Sequence, residues 1–224
     1  MMTRFGADER DVLLEKGLRP ADDEPELSFR WMFCQWFGVF VGGITFVAGS
    51  IFLFFPHAPN GGDWSAFLYT IGSLALLSVD LMEVFTFTNF WIRANSICSM
   101  LGSTLYLVGS IGFFTASRRL NIIPSAWCFI IGSVFAGGSQ AWKTYRVSKG
   151  RTGRFHLASL FVEGFTELLS GAGVWCFFLG AVMYLVGPHR GAWYLDISVF
   201  WTGGSCFFLA GSFVLGFRLF AIYI

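Results

Sequence analysis

The chain has 224 residues, of which 55% are hydrophobic, 19% are aromatic and only 13% are charged. A water-soluble domain of this size needs a far more polar surface, so the composition excludes an ordinary soluble domain. The formal net charge is +1, which gives no indication of nucleic-acid binding. Composition therefore favours a protein that is embedded in lipid.

The first 30 residues form a polar segment with five basic and eight acidic side chains and no long apolar run. No charged stretch leads directly into a short apolar segment, so this segment does not have the pattern of a secretory signal. It is also too acidic for a usual mitochondrial or plastid transit peptide. We expect residues 1–30 to form an acidic N-terminal tail.

Six apolar stretches follow the tail. About 20 apolar residues are enough to cross a bilayer core of roughly 30 Å as a helix. Four stretches are apolar throughout: Phe33–Phe55, Ser96–Ala116, Phe165–Val186 and Ile197–Leu215. Two others turn polar at one end: Trp64–Thr86 and Ala126–Tyr145. The sequence therefore predicts an all-α integral membrane protein with six transmembrane helices.

A glycine motif repeats along these stretches. The pattern Gly-x3-aromatic-x2-Gly-Ser occurs three times and once more as a close variant, and the other two stretches carry Ile-Gly-Ser. The glycines that align are, in chain order, Gly42, Gly72, Gly102, Gly132, Gly173 and Gly204. Within successive pairs they lie 30, 30 and 31 residues apart. This spacing predicts three tandem helix hairpins, at residues 31–92, 93–150 and 151–224.

The motif also predicts how the helices pack. Residues at i, i+4 and i+7 share one helix face, so each motif places two small residues on one stripe with an aromatic ring between them. In lipid, small residues let helix backbones approach closely and so favour helix association. We expect ten glycines at helix–helix contacts: Gly42, Gly49, Gly72, Gly102, Gly109, Gly132, Gly173, Gly180, Gly204 and Gly211. The alternative interpretation is that these glycines are flexible gating hinges.

The second hairpin contains LGSTLYLVGSIGFF at Leu101–Phe114 and AWCFIIGSVFAGGSQAW at Ala126–Trp142. This hairpin resembles the YrhK-like domain, and the likeness extends to the other two hairpins. The YrhK-like family consists of short two-helix membrane modules. The resemblance therefore implies three tandem two-helix repeats, and it implies no catalytic residue.

Basic residues are unevenly distributed between the two faces that six crossings create. One face carries the tail and 12 of the 15 Lys and Arg residues, whereas the opposite face carries Arg118, Arg119 and Arg190. Segments rich in Lys and Arg stay in the cytoplasm, so we expect both termini on the cytoplasmic side, or on the matrix or stromal side of an organelle. The sequence does not distinguish a bacterial inner membrane from a mitochondrial inner membrane. Pro124 falls in a turn on the opposite face, where we expect it to end a helix.

Seven ionisable residues lie in or beside the apolar stretches, all toward the face that carries the tail: Asp80, Glu83, Lys143, Arg146, Glu163, Glu167 and Arg218. A charge in lipid is costly, so such residues are expected to pair or to serve a function. Acids and bases at a common depth predict a ring of ion pairs between helices, and Glu83 and Lys143 occupy equivalent places in the repeat. The alternative is a proton or cation path through Asp80, Glu83, Glu163 and Glu167.

The sequence offers little chemistry for catalysis or for cofactors. The five cysteines are scattered without a CxxC pair, and none of the three histidines lies in the middle of an apolar stretch. Neither residue type has the spacing of a metal site, and a haem would need histidines within the bundle. Gly-rich segments lie inside apolar stretches and do not follow a strand, so they predict no phosphate site. We expect no catalytic residue, no metal and no cofactor.

Two hypotheses for function follow. The first is a non-catalytic accessory or scaffold subunit of a larger membrane assembly, such as a respiratory or photosynthetic complex. Its partners would be other membrane subunits and lipids, because the basic segment 143–154 would attract anionic headgroups. It would bind no nucleic acid and no soluble small-molecule substrate. The second hypothesis is a small transporter, or a proton or cation channel, that uses the carboxylates near the tail-bearing face.

Overall fold

The computed structural model of the chain describes residues 27–55, 59–149, 164–187 and 192–223. These residues form six α-helices and no strand. The helices are α1 (Phe29–Leu53), α2 (Gly61–Thr86), α3 (Phe90–Gly112), α4 (Thr115–Lys149), α5 (Phe165–Val186) and α6 (Ala192–Tyr223). The described part of the chain is therefore all-helical, which confirms the predicted fold class.

Polar residues define where the first three helices begin. Ser28 precedes α1, and its hydroxyl accepts a hydrogen bond at 3.3 Å from the backbone N–H three residues later. Asn89 precedes α3, and its side-chain oxygen accepts from the N–H groups of Trp91 at 3.0 Å and Ile92 at 3.4 Å. Asn60 precedes α2 with a φ of 56°, a left-handed conformation in which Asn is enriched. The first N–H groups of a helix have no acceptor within the helix itself. The side chains of Ser28 and Asn89 supply such acceptors, and they therefore fix where α1 and α3 begin.

The six helices pack side by side in chain order and close into a ring. Each helix contacts the helix before it and the helix after it, and α6 contacts α1. Each hairpin therefore supplies two neighbouring walls, and the three hairpins surround a common axis. We call the end where α1 begins and α6 ends the terminal end, and the other end the turn end.

The outer face of the ring is apolar. Large hydrophobic side chains remain exposed on every helix, including Phe85 at 79% and Phe217 at 76%. A soluble protein does not expose apolar surface of this extent, so these side chains face lipid. The interior is rich in serine, and six serines of the described residues are completely buried: Ser50, Ser73, Ser110, Ser133, Ser205 and Ser212. The protein is thus apolar on its outer surface and partly polar inside.

Five of the six described helices are long and apolar enough to cross a membrane by length and composition. The exception is α3, although it has 23 residues and lies in the ring between α2 and α4. Its buried residues include Asn95, Ser96, Ser99, Ser103 and Ser110. These side chains lower its hydropathy without facing lipid, because they are buried between helices.

Three helices begin before their predicted limits at the turn end, and α2 does so by three residues, at Gly61 instead of Trp64. α6 begins at Ala192 instead of Ile197, and α4 begins at Thr115 instead of Ala126 and contains Pro124. The prediction that Pro124 ends a helix in a turn was therefore wrong. A proline removes one backbone hydrogen bond, but a transmembrane helix can continue where water or neighbouring groups satisfy the freed carbonyl.

Candidate functional site

A cluster of aromatic rings fills the middle of the helix ring. Every helix contributes at least one buried member: Phe46, Tyr69, Tyr106, Phe129, Phe177, Trp201 and Phe208. Phe177 lies at the centre, since its ring centroid is within 6.5 Å of those of all six other members. We call these seven residues the aromatic cluster. They occupy the axis of the ring.

The tyrosine hydroxyls of the aromatic cluster are bonded to serines of the repeat. Tyr69 Oη and Ser50 Oγ lie 2.6 Å apart, and Ser50 Oγ lies 2.9 Å from Ser205 Oγ. This chain of hydroxyls joins α2, α1 and α6. Tyr106 Oη lies 2.7 Å from Ser133 Oγ, which joins α3 to α4. Hydrogen bonds between helices stabilise a membrane bundle, because an unsatisfied polar group in an apolar interior is costly.

A polar cavity of about 90 Å³ lies on the terminal side of the aromatic cluster, and all six helices line it. Its charged and amide-bearing lining includes Asp80, Glu83, Gln140, Lys143 and Glu167. Four of the seven ionisable residues singled out from the sequence thus meet in one cavity. We call it the polar cavity.

Glu83 is the carboxylate of the polar cavity with the most hydrogen bonds. Lys143 Nζ donates to its Oε2 at 2.9 Å and to its Oε1 at 3.3 Å. Gln35 Nε2 donates to Oε1 at 3.0 Å, and Ser96 Oγ donates to Oε2 at 3.2 Å. Residues from α1, α3 and α4 therefore converge on one carboxylate of α2.

Asp80 lies one turn before Glu83 on α2 and is 7% exposed. It is closer to the aromatic cluster, because α2 runs from the turn end to the terminal end. Ser103 Oγ of α3 donates a hydrogen bond to its Oδ2. Asp80 is thus tied to α3 by a hydroxyl, whereas Glu83 is tied to α4 by an ion pair.

Glu167 lies on the opposite wall of the polar cavity, near the start of α5. Lys143, Arg146 and Arg218 act on its carboxylate through their charges, and none of the described residues donates a hydrogen bond to it. Arg146 also lies over the ring of Trp142, 5.4 Å from the centroid. Of the seven ionisable residues, Glu163 alone lies outside the described residues.

Two neutral side chains beside Glu167 carry buried oxygens. Thr166 is 6% exposed, and its Oγ1 has no hydrogen-bond partner among the described residues. The Oε1 atom of Gln140 on α4 is likewise buried without a partner in the described part of the chain. Both residues line the polar cavity. Buried polar atoms are nearly always satisfied, so these two oxygens are exceptions within the described part of the chain.

A second cavity of about 60 Å³ lies on the turn side of the aromatic cluster. Tyr69, Phe129 and Trp201 of the cluster line this turn-side cavity, whereas Tyr106 and Phe208 line the polar cavity. The aromatic cluster therefore separates two cavities that lie along the same axis.

The motif glycines lie where the two helices of a hairpin meet. A Cβ atom built on Gly102 would lie 2.9 Å from the carbonyl oxygen of Gly132, and one on Gly204 would lie 2.8 Å from that of Gly173. The second glycines of the motif face the partner helix of their hairpin as well: Gly49, Gly109, Gly180 and Gly211. Gly42 and Gly72 complete the set in the first hairpin, where the contacts of Gly72 are to Phe46 and Thr45.

The sequence pattern did not single out Gln35, Gln140 or Thr166. The repeat contains the signal that identifies Gln140. It follows Gly132 by eight residues, as Asp80 follows Gly72 (140 − 132 = 80 − 72 = 8). Gln140 therefore occupies the place in the second hairpin that the buried acid Asp80 occupies in the first. This equivalence is recognised only when the sequences of the hairpins are aligned with one another.

Two groups of known proteins resemble parts of the chain. The family model described as YrhK-like protein matches residues 89–136, which contain α3 and the first part of α4. Over 104 residues, the chain is 31% identical to the fluoride-specific ion channel FluC of Dichelobacter nodosus (strain VCS1703A), a match that covers 46% of this chain and 78% of that protein. No solved structure matches the chain. The chain is therefore YrhK-like over residues 89–136 and, by its likeness to FluC, belongs to a family that includes this channel.

Proposed function

We propose that this protein is a small channel or transporter that moves protons or a small cation along the axis of its helix ring. The observation that carries the proposal is the placement of the polar cavity and the turn-side cavity on either side of the aromatic cluster. A path across a membrane needs polar groups inside the bundle and an apolar surface toward lipid. Apolar constrictions can gate such a path by excluding water. The aromatic cluster is then the closed gate.

The likeness to FluC supports a channel or transporter over an accessory subunit, since that relative is named an ion channel. The match covers 46% of this chain, so the selectivity of the relative is not transferred with it. Selectivity has to be derived from the polar cavity itself.

The charges that line the polar cavity favour a cation. Asp80, Glu83 and Glu167 line it together with the ammonium group of Lys143. Three negative groups against one positive group give a sum of −2 when all are ionised. A cavity of this sign attracts cations and repels anions, and carboxylates are a usual selectivity device of cation channels.

Fluoride, the ion in the name of the FluC relative, is the second candidate. Arg146 and Arg218 favour it, because both act on Glu167 through their positive charge. Neither guanidinium group lines the polar cavity, however, whereas the carboxylates do. The cation assignment therefore has the stronger support.

Ion flux into proteoliposomes tests the proposal. The purified protein is reconstituted, and fluxes of H⁺, Na⁺, K⁺ and fluoride are measured separately under the same driving force. We expect proton or cation flux that falls in Asp80→Asn and in Glu167→Gln, because each change removes one negative group from the polar cavity. Asp196→Asn is the matched control, since Asp196 is exposed on α6 outside the cavity, and it should leave the flux unchanged.

Fluoride-selective flux that neither cavity variant reduces would contradict the cation assignment and support the second candidate. No flux of any of the four ions, in protein that remains folded after reconstitution, would contradict transport altogether. The accessory-subunit hypothesis would then be the one to pursue. It predicts stable co-purification with other membrane subunits after mild detergent extraction.

A further inference from the structure

We infer that Glu167, Thr166 and Gln140 form a binding site for a small monovalent cation inside the polar cavity. The inference rests on the proposed function and deepens it, because it names where the transported or regulating ion binds. The three residues belong to α4 and α5 and line one cavity of about 90 Å³.

Two unpaired oxygens are the first observation. Thr166 Oγ1 and Gln140 Oε1 are buried and have no hydrogen-bond partner among the described residues. A buried polar group left unsatisfied costs about 1–3 kcal/mol, so a species in the polar cavity that contacts these oxygens is favoured. Thr166 is 6% exposed, which leaves the polar cavity as the place from which its hydroxyl is reached.

The distribution of charge is the second observation. Three carboxylates act on the charge of Lys143, those of Glu83, Glu167 and Asp80, but its Nζ donates hydrogen bonds to Glu83, the shorter one at 2.9 Å to Oε2. Glu167 on the opposite wall receives no hydrogen bond from the described residues. Lys143, Arg218 and Arg146 act on its charge, so a cation that binds its oxygens from the polar cavity does so in competition with these three groups.

The donor set defines the class of ion. A carboxylate, an amide oxygen and a hydroxyl are hard oxygen donors, which suit hard cations and not soft transition metals. Divalent calcium takes six or more oxygens, usually from several carboxylates. Within the described ranges, no three or more His, Cys, Asp and Glu residues are grouped to hold a metal ion. One carboxylate with neutral oxygens fits a single positive charge, such as Na⁺.

The repeat explains why the site arises in the third hairpin. Gln35 and Thr166 both precede the first glycine of their hairpin by seven residues, and Glu83 and Leu215 both follow the second glycine by 11. In the first hairpin Gln35 therefore finds Glu83 and donates to it at 3.0 Å. In the third hairpin Leu215 occupies the place that matches Glu83, and leucine offers no polar partner to Thr166. The Thr166 hydroxyl is left available by this divergence.

Cation-dependent thermal stability tests the site directly. The detergent-solubilised protein is unfolded in NaCl, KCl or choline chloride at equal ionic strength, so that only the cation changes. We expect Tm to rise with Na⁺ or K⁺ relative to choline, because a ligand that binds only the folded state stabilises it. Thr166→Val and Glu167→Gln should abolish this rise. Thr202→Val should retain it, since the Thr202 hydroxyl already donates to the Ser198 carbonyl at 2.7 Å.

An equal Tm in all three chlorides, or a full response in Thr166→Val, would overturn the site. Stabilisation by Ca²⁺ alone or by fluoride alone would overturn it as well. Flux measurements separate the site from the proposed function. Cation flux without any cation-specific Tm response contradicts the site and leaves transport standing. A Tm response that Thr166→Val abolishes, in a protein without flux, supports the site and contradicts transport.

Discussion

The ion pair of Glu83 and Lys143 shows how a charge is kept inside the helix ring. Their side chains are 6% and 16% exposed, and the two charged groups lie 2.9 Å apart. Charges removed from water cost several kcal/mol each, which is offset only when they pair and their remaining atoms are hydrogen-bonded. Gln35 and Ser96 supply two of those hydrogen bonds. Both partners were recognisable from the sequence, because charged residues in apolar stretches stand out.

Removal of the lysine should therefore be strongly destabilising. Lys143→Met leaves Glu83 buried without its counter-charge, and we expect a loss of about 3–5 kcal/mol in the free energy of unfolding. Chemical unfolding in detergent measures this loss. The double variant Glu83→Gln with Lys143→Met should recover much of it, since no lone charge remains. Equal losses in the single and the double variant would show that the pair does not act as described.

Removal of the Ser50 hydroxyl is also expected to lower the stability of the protein. This hydroxyl lies 2.6 Å from Tyr69 Oη and 2.9 Å from Ser205 Oγ, so Ser50→Ala leaves two buried hydroxyls with fewer partners. We expect a loss of about 1–3 kcal/mol in the free energy of unfolding. Ser78→Ala is the control, because the exposed Ser78 hydroxyl bonds only to its own helix, and its effect should be close to zero. Similar losses in both variants would contradict the role given to Ser50.

At the scale of helices, adjacent glycines on α6 have opposite surroundings. A Cβ on Gly204 would lie 2.8 Å from the Gly173 carbonyl oxygen and 3.1 Å from the Phe177 ring, whereas nothing lies within 4 Å of a Cβ on Gly203. A backbone atom cannot move aside without separating the two helices. The Gly-rich composition alone does not distinguish these two positions, but the repeat does.

Alanine substitutions should separate the two glycines. Gly204→Ala overpacks the contact between α5 and α6, and we expect it to cost about 1–3 kcal/mol of stability. Gly203→Ala should be neutral or slightly stabilising, because alanine is the better helix former. Thermal unfolding of both variants in the same detergent measures the difference. A larger loss for Gly203→Ala would contradict the packing of this hairpin.

The limits of a helix were predictable where its apolar run matches the part of the helix that meets lipid. α5 has the limits Phe165–Val186 that its apolar run predicted. The limits of α4 were not predictable in this way, since its first residues are polar and include Pro124. Apolar runs mark where a helix meets lipid, and a helix continues beyond that point when its backbone can still be satisfied.

For the molecule as a whole, the repeat predicted three hairpins but not the closure of the ring. Closure depends on the contact between α6 and α1, which lie at opposite ends of the sequence. There a Cβ on Gly43 would lie 2.9 Å from Leu209 Cα, and Trp36 Nε1 donates to the Ser212 carbonyl at 3.1 Å. Neither contact has a local sequence signature. The closed ring is what turns a set of buried polar residues into a cavity on an axis.

The candidate site was partly predictable, because some of its residues are charged and lie in apolar stretches. Asp80, Glu83, Lys143 and Glu167 were visible as charges in apolar stretches, and the structure brings them to one cavity. Thr166 was not predictable as a site residue, because threonine is common in membrane helices. Its role becomes visible only when the ring shows that its hydroxyl is buried without a described partner.

The central claim is that ions cross along the ring axis through the aromatic cluster, and Phe177 at its centre is the residue to test. Phe177 is 1% exposed, whereas Phe213 on the outer face is 60% exposed. Phe177→Ala removes a ring from the axis at a stability cost of about 3–5 kcal/mol, so the variant is first shown to be folded. Cation flux in proteoliposomes is then compared among the wild type, Phe177→Ala and the lipid-facing control Phe213→Ala. We predict that flux rises severalfold in Phe177→Ala only, whereas an unchanged flux in folded Phe177→Ala, or an equal rise in both variants, would contradict an axial path.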